Sequence, residues 1–281
     1  MGYISILTLI YILHLIIRVD AMAHGVREIN QNDVGFDENY VVTWGQNNVL
    51  KLNQGKEVQL SMDQSSGSGF ESKSHYNSGF FQLRIKLPQK DSSGIVTAFY
   101  LTSKGDSHDE IDFEFLGNKQ GKLVTIQTNV FTSGKGNREQ KITPWFDPTE
   151  DFHTYEILWN PYQIVLYVDK IPIRVFKNNT SGGMKYPSKP MQVVVSLWNG
   201  ESWATDGGKA KINWSNGPFK ANFQGFNNYA CVPNSGCESY SKLSDSDQKA
   251  YENVRQKYMI YDYCSDRARF HVPPSECKWN Q

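Results

Sequence analysis

The segment His108-Asp109-Glu110-Ile111-Asp112-Phe113-Glu114-Phe115 carries polar, chemically active side chains at a spacing of two. Read as a β-strand, it turns successive side chains to opposite faces, so His108, Glu110, Asp112 and Glu114 share one face. Ile111, Phe113 and Phe115 share the other and can enter a core. Carboxylates stacked this closely repel each other and raise one another's pKa. That cost is tolerated where one carboxyl must stay protonated while another is ionised. Cleavage of a glycosidic bond with retention has this requirement: one carboxylate attacks the sugar carbon and a protonated one donates to the leaving oxygen. The two carboxyl groups must then lie roughly 5–5.5 Å apart. The Cα atoms of Glu110 and Glu114 are about 13 Å apart on an extended strand, so the two side chains must lean together. Asp112 lies between them and can hydrogen-bond the nucleophile. His108, at the strand entrance, can donate to a carboxylate or a sugar hydroxyl. A calcium loop needs glycine and closely spaced oxygen ligands, whereas this run alternates with Ile and Phe.

The elements that must position these residues read as an all-β domain. Strand candidates are Val49–Leu52, Val58–Met62, Phe80–Leu87, Ile95–Leu101, Leu123–Val130, His153–Trp159, Ile164–Val168, Ile173–Phe176 and Met191–Trp198. Phe81 to Leu87 alternates strictly apolar and polar, as a half-buried strand should. Clusters such as Ser65-Ser66-Gly67-Ser68-Gly69 and Asn160-Pro161 read as turns. Evenly spaced short strands with almost no helical period predict a sandwich or barrel. After them, Ala250, Val254, Tyr258 and Tyr261 form one helical stripe within Ser244–Tyr261, with Ser244 as N-cap and Asp245 and Asp247 in the first turn. Pro273-Pro274 blocks further helix.

The motif His108 to Gly117 resembles the active-site strand of the plant xyloglucan endotransglucosylase/hydrolases, within glycoside hydrolase family 16. Further matching segments are Thr43-Trp44-Gly45, Gln127-Thr128-Asn129-Val130-Phe131, Arg138-Glu139-Gln140, Trp145-Phe146-Asp147-Pro148, Phe152-His153-Thr154-Tyr155 and Ser196-Leu197-Trp198-Asn199. The likeness runs from about Phe36 to the C-terminus. It implies a curved β-sandwich jelly roll of two antiparallel sheets with a short helical, disulfide-tied C-terminal extension. It also implies Glu110 as nucleophile, Asp112 as its helper and Glu114 as acid/base, which agrees with the two-carboxylate chemistry read from the residues. The substrate-binding set it implies is His108, Tyr100, Gln127, Asn129, Arg138, Glu139, Lys141, Trp198, Trp203, Tyr261 and Arg269. Tyr100 would support the donor side, and Trp198 and Trp203 would stack on the acceptor side, with Tyr261 and Arg269 supplied by the tail. His153 and Trp145 read as structural. The expected partners are xyloglucan polymer and oligosaccharides, and other β-1,4-glucans. No cofactor and no metal are expected, and the chain is expected to be a monomer.

Three features depart from the family pattern. Asn118-Lys119-Gln120 is no glycosylation sequon where many members carry one after the catalytic strand. Lys141 stands where members often carry Arg, and an ammonium cannot make the forked contacts of a guanidinium. The Cys231-to-Cys237 loop is short and lacks the expected Trp pair.

At 281 residues, the chain fits one large domain with an extension. Its formal net charge is zero, which gives no sign of a nucleic-acid or charged-membrane partner. The N-terminus runs from an apolar stretch, Ile4 to Ile17, into Ala21-Met22-Ala23, a small-x-small cleavage pattern. Residues 1–23 therefore read as a secretory signal peptide, which places the mature protein outside the cell, in the cell wall or apoplast on the family's precedent. Residues 24–223 are expected to form the catalytic jelly roll. Residues 224–281 are expected to lengthen the acceptor side of the cleft. The four cysteines, Cys231, Cys237, Cys264 and Cys277, imply disulfides in a secreted chain. Three connectivities are open. Sequential pairing closes short loops and is the one the resemblance implies. The spacings lack the Cys-x-x-Cys pair of a zinc site. Asn178, Asn179 and Asn213 stand in sequons.

The long acceptor side favours transfer of the cleaved chain to a second glucan over hydrolysis. An endo-hydrolase of xyloglucan or mixed-linkage glucan is the nearest alternative. A sandwich that binds glucan without cutting it is the other, and it has no use for an acid/base pair.

Overall fold

The computed structural model describes residues 34–232 and 237–279. The expected signal peptide lies outside the described residues, as do residues 233–236 in the first cysteine loop. A single helical turn, α1 (Phe36–Asn39), leads into β1 (Tyr40–Trp44), β2 (Val49–Leu52), β3 (Glu57–Met62), β4 (Ser68–Ser72) and β5 (Gly79–Lys86). Then follow β6 (Ile95–Thr102), β7 (Glu110–Leu116), β8 (Thr125–Phe131), β9 (Gln140–Ile142), β10 (His153–Trp159), β11 (Gln163–Val168) and β12 (Ile171–Lys177). The chain continues through β13 (Gln192–Asn199), β14 (Phe219–Gln224), β15 (Asn228–Ala230), α2 (Asp245–Lys257) and β16 (Met259–Asp262).

The strands form two antiparallel sheets. One has the order β1-β4-β13-β6-β7-β8-β9-β16 and carries the motif strand in its interior; the other runs β12-β11-β10-β5-β14-β3-β2, with β15 pairing β5. Their inner faces share one core, to which Phe70, Phe99, Ile111, Phe113 and Phe115 contribute from the first sheet and Leu60, Leu83, Ile85, Tyr155 and Ile157 from the second. Alternation decides the placement of β7. Phe113 lies parallel to Phe99 at 6.1 Å and to Phe115 at 6.0 Å, and Tyr155 meets Phe115 edge-on at 4.6 Å. With the aromatic set locked inward, Glu110, Asp112 and Glu114 must face outward. A slip of one residue would exchange the two sets and bury three carboxyls in the core.

The expected all-β sandwich is the observed fold, and each strand candidate falls on a strand with ends within two residues. Two readings are corrected. Ser68 and Gly69, taken as part of a turn, begin β4; a strand of Ser and Gly has little β-propensity, and its place between β1 and β13 supplies the pairing. The helix ends at Lys257, and Tyr261 sits on β16 rather than on the helical stripe. The buried residues of α2 are Tyr251 and Val254, whereas Ala250 is only half-buried. Ser244 does cap the helix, its hydroxyl accepting from the Asp247 amide at 3.1 Å. The segment after β14 thus adds a strand to each sheet and lays α2 against the outer face at β12, where Tyr251 packs with Leu158, Val165, Tyr167 and Val175. Cys231 pairs with Cys237 and Cys264 with Cys277. No helix among the described residues is long and apolar enough to cross a membrane.

Phe113 is fully buried in the stack that orients β7. Phe113→Ala is expected to cost about 3–5 kcal/mol, against about 0.5–1.5 for Ile111→Val on the same strand. Urea denaturation of the two variants checks the order; equal losses would contradict the anchoring role of the aromatic stack.

Candidate active site

Cross-strand pairing writes the site as rows across the outer face of the first sheet. One row runs Thr102, Glu110, Phe131; the next Val194, Tyr100, Asp112, Asn129; the third Ser196, Ala98, Glu114, Gln127, Lys141, Tyr261. Glu110, Asp112 and Glu114 line one open depression together with Tyr100, Asn129 and Trp198. A second depression adjoins it on the β1 side and shares Tyr100 and Glu110.

Each carboxyl has a distinct surrounding. Glu114 Oε2 accepts from Gln127 Nε2 at 2.6 Å. Burial raises the Glu114 pKa, opposed by that hydrogen bond; the charges of Glu110 and Glu139 add to the rise and Lys141 offsets part of it. Asp112 is almost wholly buried, and burial, with the charges of Glu110 and Glu114 on either side, holds its pKa well above the usual range. The protonated Asp112 donates to Glu110. Burial also raises Glu110, but the bonds from Thr102 and Asp112 and the neighbouring His108 pull it back. His108 lies just before β7, with Nε2 3.9 Å from Glu110 Oε1 and Nδ1 2.8 Å from the Gly105 carbonyl oxygen. The arrangement therefore places Glu110 beside a proton-bearing Asp112, with a second carboxyl of raised pKa at Glu114.

The tail reaches the same rows from one side. Arg269 forks onto Glu139, with Nη1 2.6 Å from Oε2, and Tyr261 donates to Asp266 at 2.8 Å. The Lys141 ammonium sits over the Tyr261 ring at 5.9 Å. Trp198 and Trp203 tilt against each other at 6.1 Å and pack on Val96 and Leu116. Because β13 and β16 lie on opposite sides of β7, this Trp pair and the Tyr261–Arg269 group flank Glu114 from two directions and do not form one cluster.

Arg138 occupies a different place from the other expected sugar contacts. Its Nε donates to Glu276 of the tail at 2.6 Å and its Nη1 to the carbonyls of Val130 and Lys135. Its backbone amide donates to Asn129 Oδ1 at 3.1 Å, which fixes a residue of the depression. Arg174, fully buried, grips the Arg138 carbonyl at 2.6 Å and that of Thr128 at 2.7 Å. Two arginines and a tail glutamate thus hold β8 from behind.

Sequence reasoning missed Glu276, Arg174 and Asp109. Asp109 is buried, and its carboxylate accepts from the amides of Ser133, Ser188 and Lys189, tying the entrance of β7 to two loops. No spacing rule marks such long-range partners; only the position of Asp109 inside the motif hinted at it. Of the sequons, Asn213 is exposed, whereas Asn178 is half-buried and donates its amide to the Pro161 carbonyl at 2.8 Å.

Residues 36–216 match the model of glycosyl hydrolases family 16, and residues 231–277 match that of the xyloglucan endo-transglycosylase (XET) C-terminus. The chain belongs to glycosyl hydrolase family 16. Among family relatives, it is 74% identical to putative xyloglucan endotransglucosylase/hydrolase protein 1 of Arabidopsis thaliana, over 100% of this chain and 99% of that one. It is 64% identical to xyloglucan endotransglucosylase/hydrolase protein 2 of the same plant, over 97% of each. Among solved structures, a β-glucanase of Bacillus licheniformis superposes with a TM-score of 0.57 at 25% identity, covering 72% of this chain and 95% of that one.

The raised carboxyls give a stability test. A group whose folded pKa is raised favours the fold while protonated, and that contribution is lost as pH rises through the folded value. Glu110→Gln, Asp112→Asn and Glu114→Gln combined remove this loss. The triple variant is expected to melt above the wild type at about pH 8, with the gap shrinking towards about pH 4. Thermal denaturation across pH checks it; a gap that grows on acidification would contradict the raised values.

Proposed function

We propose that this chain is a xyloglucan endotransglucosylase/hydrolase that cuts the β-1,4-glucan backbone with retention and passes the cut chain to a second xyloglucan. The observation that carries this reading is the β7 face itself: Glu110, Asp112 and Glu114 in one depression, with Asp112 donating to Glu110 and the Glu114 pKa raised by burial. The family membership and the names of the relatives support the substrate class.

In the first step, the Glu110 carboxylate attacks the sugar carbon, the glycosidic C–O bond breaks, and Glu114 gives its proton to the departing oxygen. Asp112 steadies the Glu110 carboxylate until it bonds. In the second step, an acceptor hydroxyl gives its proton to Glu114 and its oxygen displaces Glu110. Transfer exceeds hydrolysis when a bound acceptor presents its hydroxyl at a high effective concentration. Gln127, Lys141, Tyr261 and Arg269 on the tail side, and Trp198 and Trp203 beyond Glu114, are the residues we assign to the acceptor. Residues 224–281 serve as the acceptor-side extension. Secretion through residues 1–23 to the cell wall, action as a monomer and glycosylation at Asn213 complete the proposal.

The reading is tested by incubation with polymeric xyloglucan and a labelled xyloglucan oligosaccharide. Incorporation of label together with shortening of the polymer is expected. Reducing-end release without incorporation would replace transferase by hydrolase. Glu110→Gln is expected to abolish both readouts. Glu114→Gln should lower activity on polymer by about 10²–10⁴-fold, the range for general acid–base catalysis, but spare a substrate with a good leaving group. Near-wild-type turnover by Glu110→Gln would overturn the assignment.

A further inference from the structure

Trp44 lies at the far edge of the cleft-bearing sheet from the tail and takes no part in the steps above. It is one of the few large apolar side chains left open, 38% exposed. The register of β1 explains its direction. Val41 pairs with Glu71 and Val42 with Phe70, but Trp44 pairs with Gly69, so the register shifts between Val42 and Trp44. Strict alternation would send Thr43 to the cleft and Trp44 into the core. With the bulge, both line the second depression. Bulges of this kind re-aim side chains and concentrate near active sites.

The bed beneath the indole is also built. A Cβ on Gly69 would meet Trp44 Nε1 at 2.3 Å, and one on Gly67 would meet its Cη2 at 3.0 Å. Two missing side chains let the ring lie against the strand backbone. This accounts for the Ser-Gly composition of β4, which reads as a turn and folds as a strand. Past the ring, a 2.5 Å ion pair between Lys104 and Glu71 closes the other wall. A fixed aromatic plane beside polar hydrogen-bonding groups matches a pyranose ring, which has an apolar face and a hydroxyl rim.

Its place in the cleft selects the chain it would hold. The depression borders Glu110 but is lined neither by Glu114 nor by Trp198, which is assigned to the acceptor. Glu114 serves the oxygen of the departing sugar, so sugars on the side that touches only Glu110 belong to the chain that stays on the enzyme. β1 is four strand spacings from β7, about 19 Å, far enough that the ring bound there is several units from the cut.

We infer that Trp44 is the stacking platform of a remote donor-side subsite for a backbone sugar of the glucan. The inference rests on the proposed glucan-cutting reading and extends it. The test is equilibrium binding of xyloglucan and β-1,4-glucan oligosaccharides to Glu110→Gln, alone and combined with changes at Trp44, so that turnover does not enter. Trp44→Ala is expected to raise Kd for long oligosaccharides by roughly five- to tenfold, the worth of one aromatic stacking contact. Trp44→Leu fills the same space without an aromatic face and should lose as much, whereas Trp44→Phe should recover most of the affinity. Equal binding by the Leu and Phe variants would overturn the subsite, even if the Ala variant fails to fold. Unchanged Kd in all three would do the same. Wild-type turnover of xyloglucan is scored separately. Its absence would remove the proposed function, and the Kd series on β-1,4-glucan would still decide Trp44.

Discussion

The structure depends on the two-sidedness of β7. Its inward side is an aromatic ladder, Phe113 between Phe99 and Phe115, locked edge-on by Tyr155 of the opposite sheet. Because that side is fixed by core packing, the outward side has no freedom of register, and three carboxyls are forced into one row. The row is partly buried, most of all at Asp112, so it cannot ionise as three independent acids. Protons are shared instead: Asp112, in the driest place between two like charges, keeps its proton and lends it to Glu110, while Gln127 and the charges of Glu139 and Lys141 set the balance at Glu114.

The remainder of the molecule holds this row and extends it. The tail contributes in two ways. It adds β16 to the edge of the cleft sheet, and it sends Glu276 from beside Cys277 to clasp Arg138. Through the Arg138 amide the clasp reaches Asn129, so the tail fixes a residue in the depression without touching it. Arg174 performs the same service from the second sheet. A buried arginine with carbonyl acceptors satisfies those carbonyls and adds a charge beneath the acids, which works against the rise at Asp112.

Much of this was legible in the residues. The alternating Glu/Asp and Ile/Phe pattern announced both faces of β7, and the family resemblance supplied Gln127 and Asn129, which share one face of the neighbouring strand. What escaped was set by partners distant in sequence. Nothing local in Ser68-Gly69 signals a strand, because the pairing comes from β1 and β13 and the glycines serve the Trp44 ring. Tyr261 matched a helical spacing by coincidence, since the chain leaves the helix at Tyr258 to pair with β9. Arg138 carried the expected motif, but its side chain is engaged by a glutamate 138 residues away, a contact no spacing rule can foresee.

The central claim is that Glu110, steadied by a protonated Asp112, forms a covalent bond to the sugar while Glu114 manages the proton. Rapid acid quench of the enzyme with a xyloglucan donor, followed by peptide mass spectrometry, tests it most directly. The account predicts a glycosyl adduct on the peptide containing residues 108–116, fragmenting to Glu110 and lost on addition of an acceptor oligosaccharide. An adduct on Glu114, or turnover with no adduct at any time point, would contradict it.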